Sequence, residues 1–318
     1  MPSFMELSNI TPPEVWGVWE PLAFFFLTAG AAAAILACAA LWRRASAGTG
    51  RLLGVVALAS GLAGQACLLM GLEQPLRAYE LYLRPHVISW TAWGGFLIPL
   101  CLLCTVPLVW PRRKGRVHPL WFLPAIGAAC AVFIYADSEI MDCVGRVLWA
   151  RPLLPMGFIL AGLSAAIGLA CLMAPRTDGA FSLLPWTSAA AAFVCALAAL
   201  AFRAPEGFAQ FATYWWHAPE TICLIAAVIA AIRPRRWFRL TGAMTCVSAF
   251  MVFWKIIHMG QAFGRNASTF SDAAAFLDIV SPGSLLVLAG GAGLWLALAL
   301  LLSMLFPWNA AKEAARVD

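Results

Sequence analysis

Charge is what this chain has least of. Of its 318 residues, 11% are Asp, Glu, Lys or Arg and 63% are apolar, whereas soluble domains run to about 25% charged and about 45–50% apolar. That scarcity excludes a disordered chain, a nucleic-acid reader and a cytosolic enzyme with an ordinary polar surface. No glycine-rich phosphate loop, dinucleotide fingerprint or nucleophile elbow occurs in the sequence, so it carries no visible cofactor site of its own. Histidine is limited to four residues, which leaves no second pair for a two-haem relay. Cysteine is less scarce, at ten residues, but Cys38, Cys67, Cys101, Cys104, Cys130, Cys171, Cys195, Cys223 and Cys246 lie within apolar runs and only Cys143 falls in a loop. Neither a disulfide framework nor an iron–sulfur site is encoded, and the Cys101-Leu-Leu-Cys104 spacing reads as packing because it lies mid-span. No basic stretch precedes the first apolar run, so the acidic, proline-bearing segment through Trp19 does not read as a signal peptide.

Long apolar runs are what the sequence has instead. About 20 such residues cross the hydrocarbon of a bilayer, and nine runs qualify, near 18–42, 52–72, 87–110, 119–137, 152–174, 180–202, 212–232, 240–263 and 283–306. The expected class is an all-α integral membrane protein. The alternating loops at 43–51, 111–118, 175–179 and 233–239, together with the C-terminal tail, hold 14 of the 21 Lys and Arg residues. Positive-inside bias makes that side cytoplasmic, with the N-terminus outside and the C-terminus inside. Eleven of the fifteen acidic residues fall on the other side, which suggests that the outer face docks a partner or handles protons.

The sequence also repeats. Phe26-Leu-Thr-Ala-Gly30 followed by Ala33-Ala34 recurs as Phe158-Ile-Leu-Ala-Gly162 followed by Ala165-Ala166, an offset of 132 residues. Four spans per offset is an even number, so both copies point the same way. The expected architecture is two parallel four-helix bundles plus one C-terminal helix. Residues 1–147 form the first bundle, 148–265 the second, and 266–318 the ninth helix and a cytoplasmic tail.

Ionisable groups inside spans are costly and usually functional. His217 and Glu220 enter with the seventh span, and Lys255, His258 and Gln261 lie near the exit of the eighth at three-residue spacing. Their alternatives are a buried Glu220–Lys255 ion pair, a proton path, or a haem held axially by His217 and His258. Nearer the first bundle are Glu20, Gln65, His86, Tyr135 and Asp137. His118, on the cytoplasmic side, reads as an ordinary interfacial residue.

The densest polar stretch joins spans 2 and 3: Gly71-Leu-Glu-Gln-Pro75-Leu-Arg77, then Arg84-Pro-His86-Val-Ile-Ser89-Trp90-Thr-Ala-Trp93-Gly94. Pro75 is expected to end or kink helix 2, and Ser89 to cap or hydrogen-bond near the start of helix 3. An acidic residue, a Pro-x-Arg step, an Arg-Pro pair, Ser-Trp and a Trp-Gly turn make this loop resemble that of the NrfD-like family, the membrane subunits of polysulfide reductase and related respiratory complexes. Glu73, Pro75, Arg77, Arg84, Pro85, Ser89, Trp90, Trp93 and Gly94 carry the match, with Trp19 and Gly30 in the first span and Tyr135 in the fourth. The resemblance covers the first half of the chain best. Eight spans are usual in the polysulfide-type members and nine in a tetrathionate-reductase-like branch, and aspartate is commoner than Glu73 in the loop.

The resemblance implies a membrane anchor in the bacterial inner (cytoplasmic) membrane that oxidises a quinol, such as menaquinol, near the outer face. Electrons would pass to a ferredoxin-like multi-cluster iron–sulfur subunit and then to a molybdopterin subunit reducing a sulfur compound or oxyanion. The chain itself would hold no haem, iron–sulfur cluster or other metal. Oxidising a hydroquinone releases two protons, which need acceptors. Glu20, Tyr135, His86 and Asp137 are the expected catalytic contacts, and Gln65, Glu73, Arg77, Ser89 and Trp90 the expected quinol-binding residues. His217, Glu220, Lys255 and His258 form the expected proton path or ion pair. A secondary transporter and a haem b cytochrome anchor are the competing readings, and neither nucleic acid nor a soluble life is expected.

Overall fold

The structure, a computed structural model, describes residues 16–43, 47–110, 117–143, 149–150, 152–175, 184–201, 235–262 and 281–307, with isolated positions at 221, 222, 225, 228, 229, 232 and 279. Among the described residues there is no strand, and seven helices are long and apolar enough to cross a membrane. The elements are α1 (Trp19–Trp42), α2 (Ala47–Gly71), a 3-10 turn (Pro75–Arg77) and the single-turn α3 (Glu80–Leu83). They continue with α4 (Trp90–Val109), α5 (Phe122–Met141), α6 (Leu154–Met173) and α7 (Leu184–Ala201). Last come α8 (Phe238–Trp254) and α9 (Pro282–Leu305). The sixth expected run yields α7, whose apolar stretch Trp186–Ala198 is shorter than a full crossing. The seventh run, at 212–232, lies outside the described residues apart from isolated positions.

α1 is the hub. Its sequence alternates bulk with long stretches of Ala and Gly, and 83% of its most apolar window is buried. In lipid, helices associate through close backbone approach rather than through expulsion of water, so small residues mark the contacts. A methyl group at Gly30 would lie 2.9 Å from Gly61 N and 3.1 Å from Ala57 O, so α1 and α2 touch backbone to backbone there. Gly162 performs the same service for α6, where a methyl would lie 2.9 Å from Thr28 Cβ of α1. Both glycines of the sequence repeat therefore sit at contacts of the central helix.

Aromatic rings lock the seam between the halves. Phe24 of α1 meets Phe158 of α6 edge to face at 5.8 Å, and Phe158 meets Phe253 of α8 at 5.1 Å. α6 and α8 pack through a glycine pair, since a methyl at Gly168 would lie 2.8 Å from Gly242 O and the reverse substitution would lie 2.8 Å from Gly168 O. α7 is tied to α6 by Ser164 Oγ, which donates to Ala191 O at 2.9 Å. α9 lies outermost against α2, where Trp295 Nε1 donates to Ser60 Oγ at 3.0 Å. Only 22% of its apolar window is buried, which leaves most of the helix for lipid.

Three boundaries differ from the sequence reading. α2 stops at Gly71, before Pro75, which instead opens the 3-10 turn, a position that suits a residue without an N–H. α5 continues past Asp137 to Met141, because Glu139 is hydrogen-bonded within the fold and a charge there does not force an exit. α8 leads into a π-turn over Lys255–Met259 and a last turn at Gly260–Ala262. That turn alters the three-residue periodicity expected for Lys255, His258 and Gln261.

Candidate functional site

The ends of α1, α2, α4 and α5, with the loop through α3, enclose a cavity of about 290 Å³. Its walls are aromatic and aliphatic: Trp16, Phe24, Leu68, Leu69, Leu72, Leu81 and Tyr82. Four of the expected site residues line it together, namely Glu20, Gln65, Glu73 and Tyr135. Gly71, Ala78, Thr91, Gly95 and Glu139, none of them among the expected site residues, complete it with Gly94 of the loop motif.

Local geometry explains how each side chain is held. Glu20 opens α1, and its Oε2 accepts a hydrogen bond from the Gly17 amide at 2.8 Å. Such an acceptor in a first turn ties down the amide just ahead of the helix and suits the helix dipole. Gly71 leaves room for the same carboxyl, since a methyl there would lie 2.9 Å from Glu20 Oε1. Tyr135 is 2% exposed, and its ring lies directly over Gly94, where a methyl would be 2.5 Å from Cζ and 2.8 Å from the hydroxyl oxygen. The Trp-Gly step of the loop motif thus has a physical purpose: only glycine lets the phenol into this position. Tyr82 is pinned by donating to Gly95 O at 2.9 Å and by an edge-to-face contact with Phe96 at 5.3 Å.

Two oxygens of the cavity-lining residues have no partner among the described residues. Thr91 Oγ1 donates to Glu139 Oε1 at 2.7 Å, while Glu139 Oε2 is buried and makes no hydrogen bond. Gln65 Oε1 is likewise buried and unpaired. Leaving such a group without a partner costs about 1–3 kcal/mol. Both residues, Gln65 and Glu139, line the cavity.

A second, shallower groove of about 390 Å³ lies beside the cavity, lined by Glu73, Gln74, Arg77, Glu80, Arg84, His86 and Ser89 among others. Glu73, Leu72, Ala78 and Leu81 line both spaces, so this short wall separates them. Arg77 is engaged locally, with a 2.8 Å ion pair to Glu80 and a 2.9 Å bond to Gln74 Oε1. Ser89 stands at the N-cap of α4 without a side-chain capping bond, and Trp90 packs against the core. His86, Arg77 and Ser89 therefore belong to the groove and not to the cavity, and Trp90 and Asp137 line neither.

Helical geometry separates Asp137 from the cavity. Two residues along a helix is a turn of about 200°, whereas four residues return to the same face. Tyr135 therefore shares its face with Glu139, and Asp137 is buried elsewhere, with Oδ1 unpaired. An i,i+4 reading of Tyr135 would have found Glu139 in the sequence.

In the other half, Lys255 and His258 are buried at 2% and 5% exposure, and the His258 ring stacks on Trp254 at 3.8 Å. Neither touches the cavity. His217 and Glu220, expected as their partners, lie outside the described residues. Among the described residues, no group of His, Cys, Asp and Glu is arranged to hold a metal ion.

Residues 6–182 match the family described as Polysulphide reductase, NrfD. Over 316 residues the chain is 26% identical to one of the subunits of the tetrathionate reductase of Salmonella typhimurium strain LT2, an alignment covering 90% of this chain and 91% of that protein. The family match spans more than half of the chain and contains every residue of the cavity wall. With its bilayer-length apolar helices, this chain is a multi-pass membrane protein belonging to the NrfD family, membrane subunits of reductase complexes.

Proposed function

We propose that the cavity binds a quinol and oxidises it, as the membrane anchor of a respiratory reductase. The observation that carries this reading is a cavity walled largely by rings and aliphatic side chains in which two lining residues, Gln65 and Glu139, each keep a buried oxygen, Oε1 and Oε2, without a partner among the described residues. A hydroquinone brings two O–H donors on a flat apolar ring. The oxidised quinone brings only acceptors, so a carboxylate that needs a donor favours the reduced form. At about 290 Å³, the cavity suits a ring headgroup, small pockets for such ligands starting near 300 Å³.

In the proposed reaction each quinol loses two protons and two electrons. Glu139 and Glu20 are the proton acceptors, Tyr135 and Gln65 hold the ring oxygens, and Thr91 keeps Glu139 in position. Glu73, shared by cavity and groove, with His86 beyond it, offers protons a way out. The electrons leave singly to a ferredoxin-like iron–sulfur subunit and pass on to a molybdopterin subunit. The relative from tetrathionate reductase supports a sulfur oxyanion as the terminal substrate. The basic residues Arg43 and Arg51 lie at the opposite ends of α1 and α2 from Glu20 and Gly71, so positive-inside bias supports an outward-facing cavity in a nine-span inner-membrane chain. A cavity at one end of the bundle, and not at mid-depth, favours this reading over a transporter.

The test is the assembled reductase with menadiol, a short-tailed naphthoquinol. Wild-type complex oxidises it and binds it about tenfold more tightly than menadione, a difference set by the hydrogen bonds that only the reduced form donates. A complex that carries all its subunits yet neither binds nor oxidises menadiol would sink the reading.

A further inference from the structure

We infer that Gln261, from the second half of the chain, is a positioning residue that fixes the wall of the cavity by holding Trp16. The inference rests on the quinol reading above. Trp16 lines the cavity but precedes α1, so no helix of its own secures it. Its backbone N–H donates to Gln261 Oε1 at 3.0 Å, and Gln261 Nε2 donates to Trp16 O at 2.9 Å. One side-chain amide thereby satisfies both backbone groups of a residue outside regular structure, as a neighbouring strand would.

The ring of Trp16 is held from the same direction. It stacks on Trp149 at 5.1 Å with 27° between planes, and Trp149 Nε1 donates to Ile256 O at 2.8 Å. The Trp149 indole fills space that any side chain at position 260 would occupy, so Gly260 is required there. Ile256 lies in the π-turn Lys255–Met259. A π-turn takes in one residue more than an α-turn, so it rotates everything after it by about 100°. Gln261 follows after Gly260, and the π-turn sets the side from which it projects. Residues 16, 149, 256, 260 and 261 thus act as one unit, which ties a wall of the first half's cavity to the end of the second half's helix.

Trp16 offers no acid or base, so its part is to present a flat face to the ligand ring and to close the space. Releasing it loosens ligand binding and leaves the proton and electron steps in place. Gln261→Met keeps the length and removes both hydrogen bonds, while Gln261→Glu keeps the acceptor for the Trp16 N–H and loses the donor. In the assembled reductase with menadiol as reductant, Gln261→Met is expected to raise KM about tenfold with kcat within about twofold, and Gln261→Glu to fall between it and wild type. Equal KM for wild type and both variants, at equal assembly, overturns the inference and spares the quinol reading. So does a fall in kcat at constant KM, the signature of a merely structural residue. If Gln261→Met does not assemble, Gln261→Glu decides by the same criterion. Wild-type complex that does not use menadiol at all overturns the quinol reading, and this inference with it.

Discussion

At the cavity, carboxylates and an amide from α1, α2, α5 and the loop after α2 line one space, and two of their oxygens have no partner among the described residues. At the end of α8 the ionisable groups follow one another along a single helix and are packed in. His258 stacks on Trp254, Lys255 is 2% exposed, and the Trp149 indole takes up the room beside Gly260. Both ends carry the cost of buried polar atoms, about 1–3 kcal/mol for each unpaired one. In the first half that cost is arranged around a volume, where a ligand can offset it. In the second half it is enclosed by side chains. Buried polarity alone therefore does not single out a candidate site; buried polarity on residues that line a space does.

Glu139→Gln should break this contrast most severely. The amide still accepts from Thr91 but cannot take a proton, and menadiol oxidation by the assembled complex should fall about 100-fold, the lower range for loss of a general base. Next is Gly94→Ala, which forces the Tyr135 phenol off a position that leaves 2.5 Å for the new methyl. We expect menadiol affinity to drop about tenfold, through a misplaced contact of the kind that costs about 1–3 kcal/mol. Gly127→Ala, on the same bundle with nothing within 4 Å of the added carbon, should bind as wild type does. In the second half, Gly242→Val meets Cys171 Cβ at 2.7 Å and Gly168 O at 2.8 Å. Overpacking of about 1–3 kcal/mol should lower the thermal midpoint of the complex while menadiol affinity stays unchanged. Smallest of all is Ser248→Ala, which removes a buried hydroxyl without a partner. It should leave stability within about 0.5 kcal/mol of wild type or raise it, because the lost group was unpaired.

The helices were legible because crossing a bilayer imposes a length and an apolarity that few other structures need. Six of the expected runs, the first five and the eighth, have their counterparts in α1, α2, α4, α5, α6 and α8, and the last in α9. Ends were harder to read. Asp137 looked like an exit, yet α5 carries on through further polar residues because Thr91 receives Glu139. Within the site, Glu20, Gln65, Glu73 and Tyr135 could be picked out as polar residues at membrane depth. Glu139 was legible through its spacing from Tyr135, but Asp137 drew attention from it. The Trp16–Gln261 contact spans 245 positions, and the π-turn that aims Gln261 leaves no periodic trace in five residues. No local pattern encodes either one. Arg77 illustrates the reverse case: its charge suggested a ligand contact, and its neighbours Gln74 and Glu80 already occupy it.

α1 has a consequence for how the protein is made. Among the described helices it is synthesised before the others, and its neighbours arrive at very different times. The Gly30 side meets α2 almost at once, whereas the side around Thr28 must wait for Gly162 of α6, well over a hundred residues later in synthesis. During that interval the waiting face borders lipid. Its hydroxyl is already provided for, since Thr28 Oγ1 donates to Phe24 O within α1 at 2.7 Å. The helix can therefore sit in hydrocarbon with its polar atom satisfied until the later partner docks.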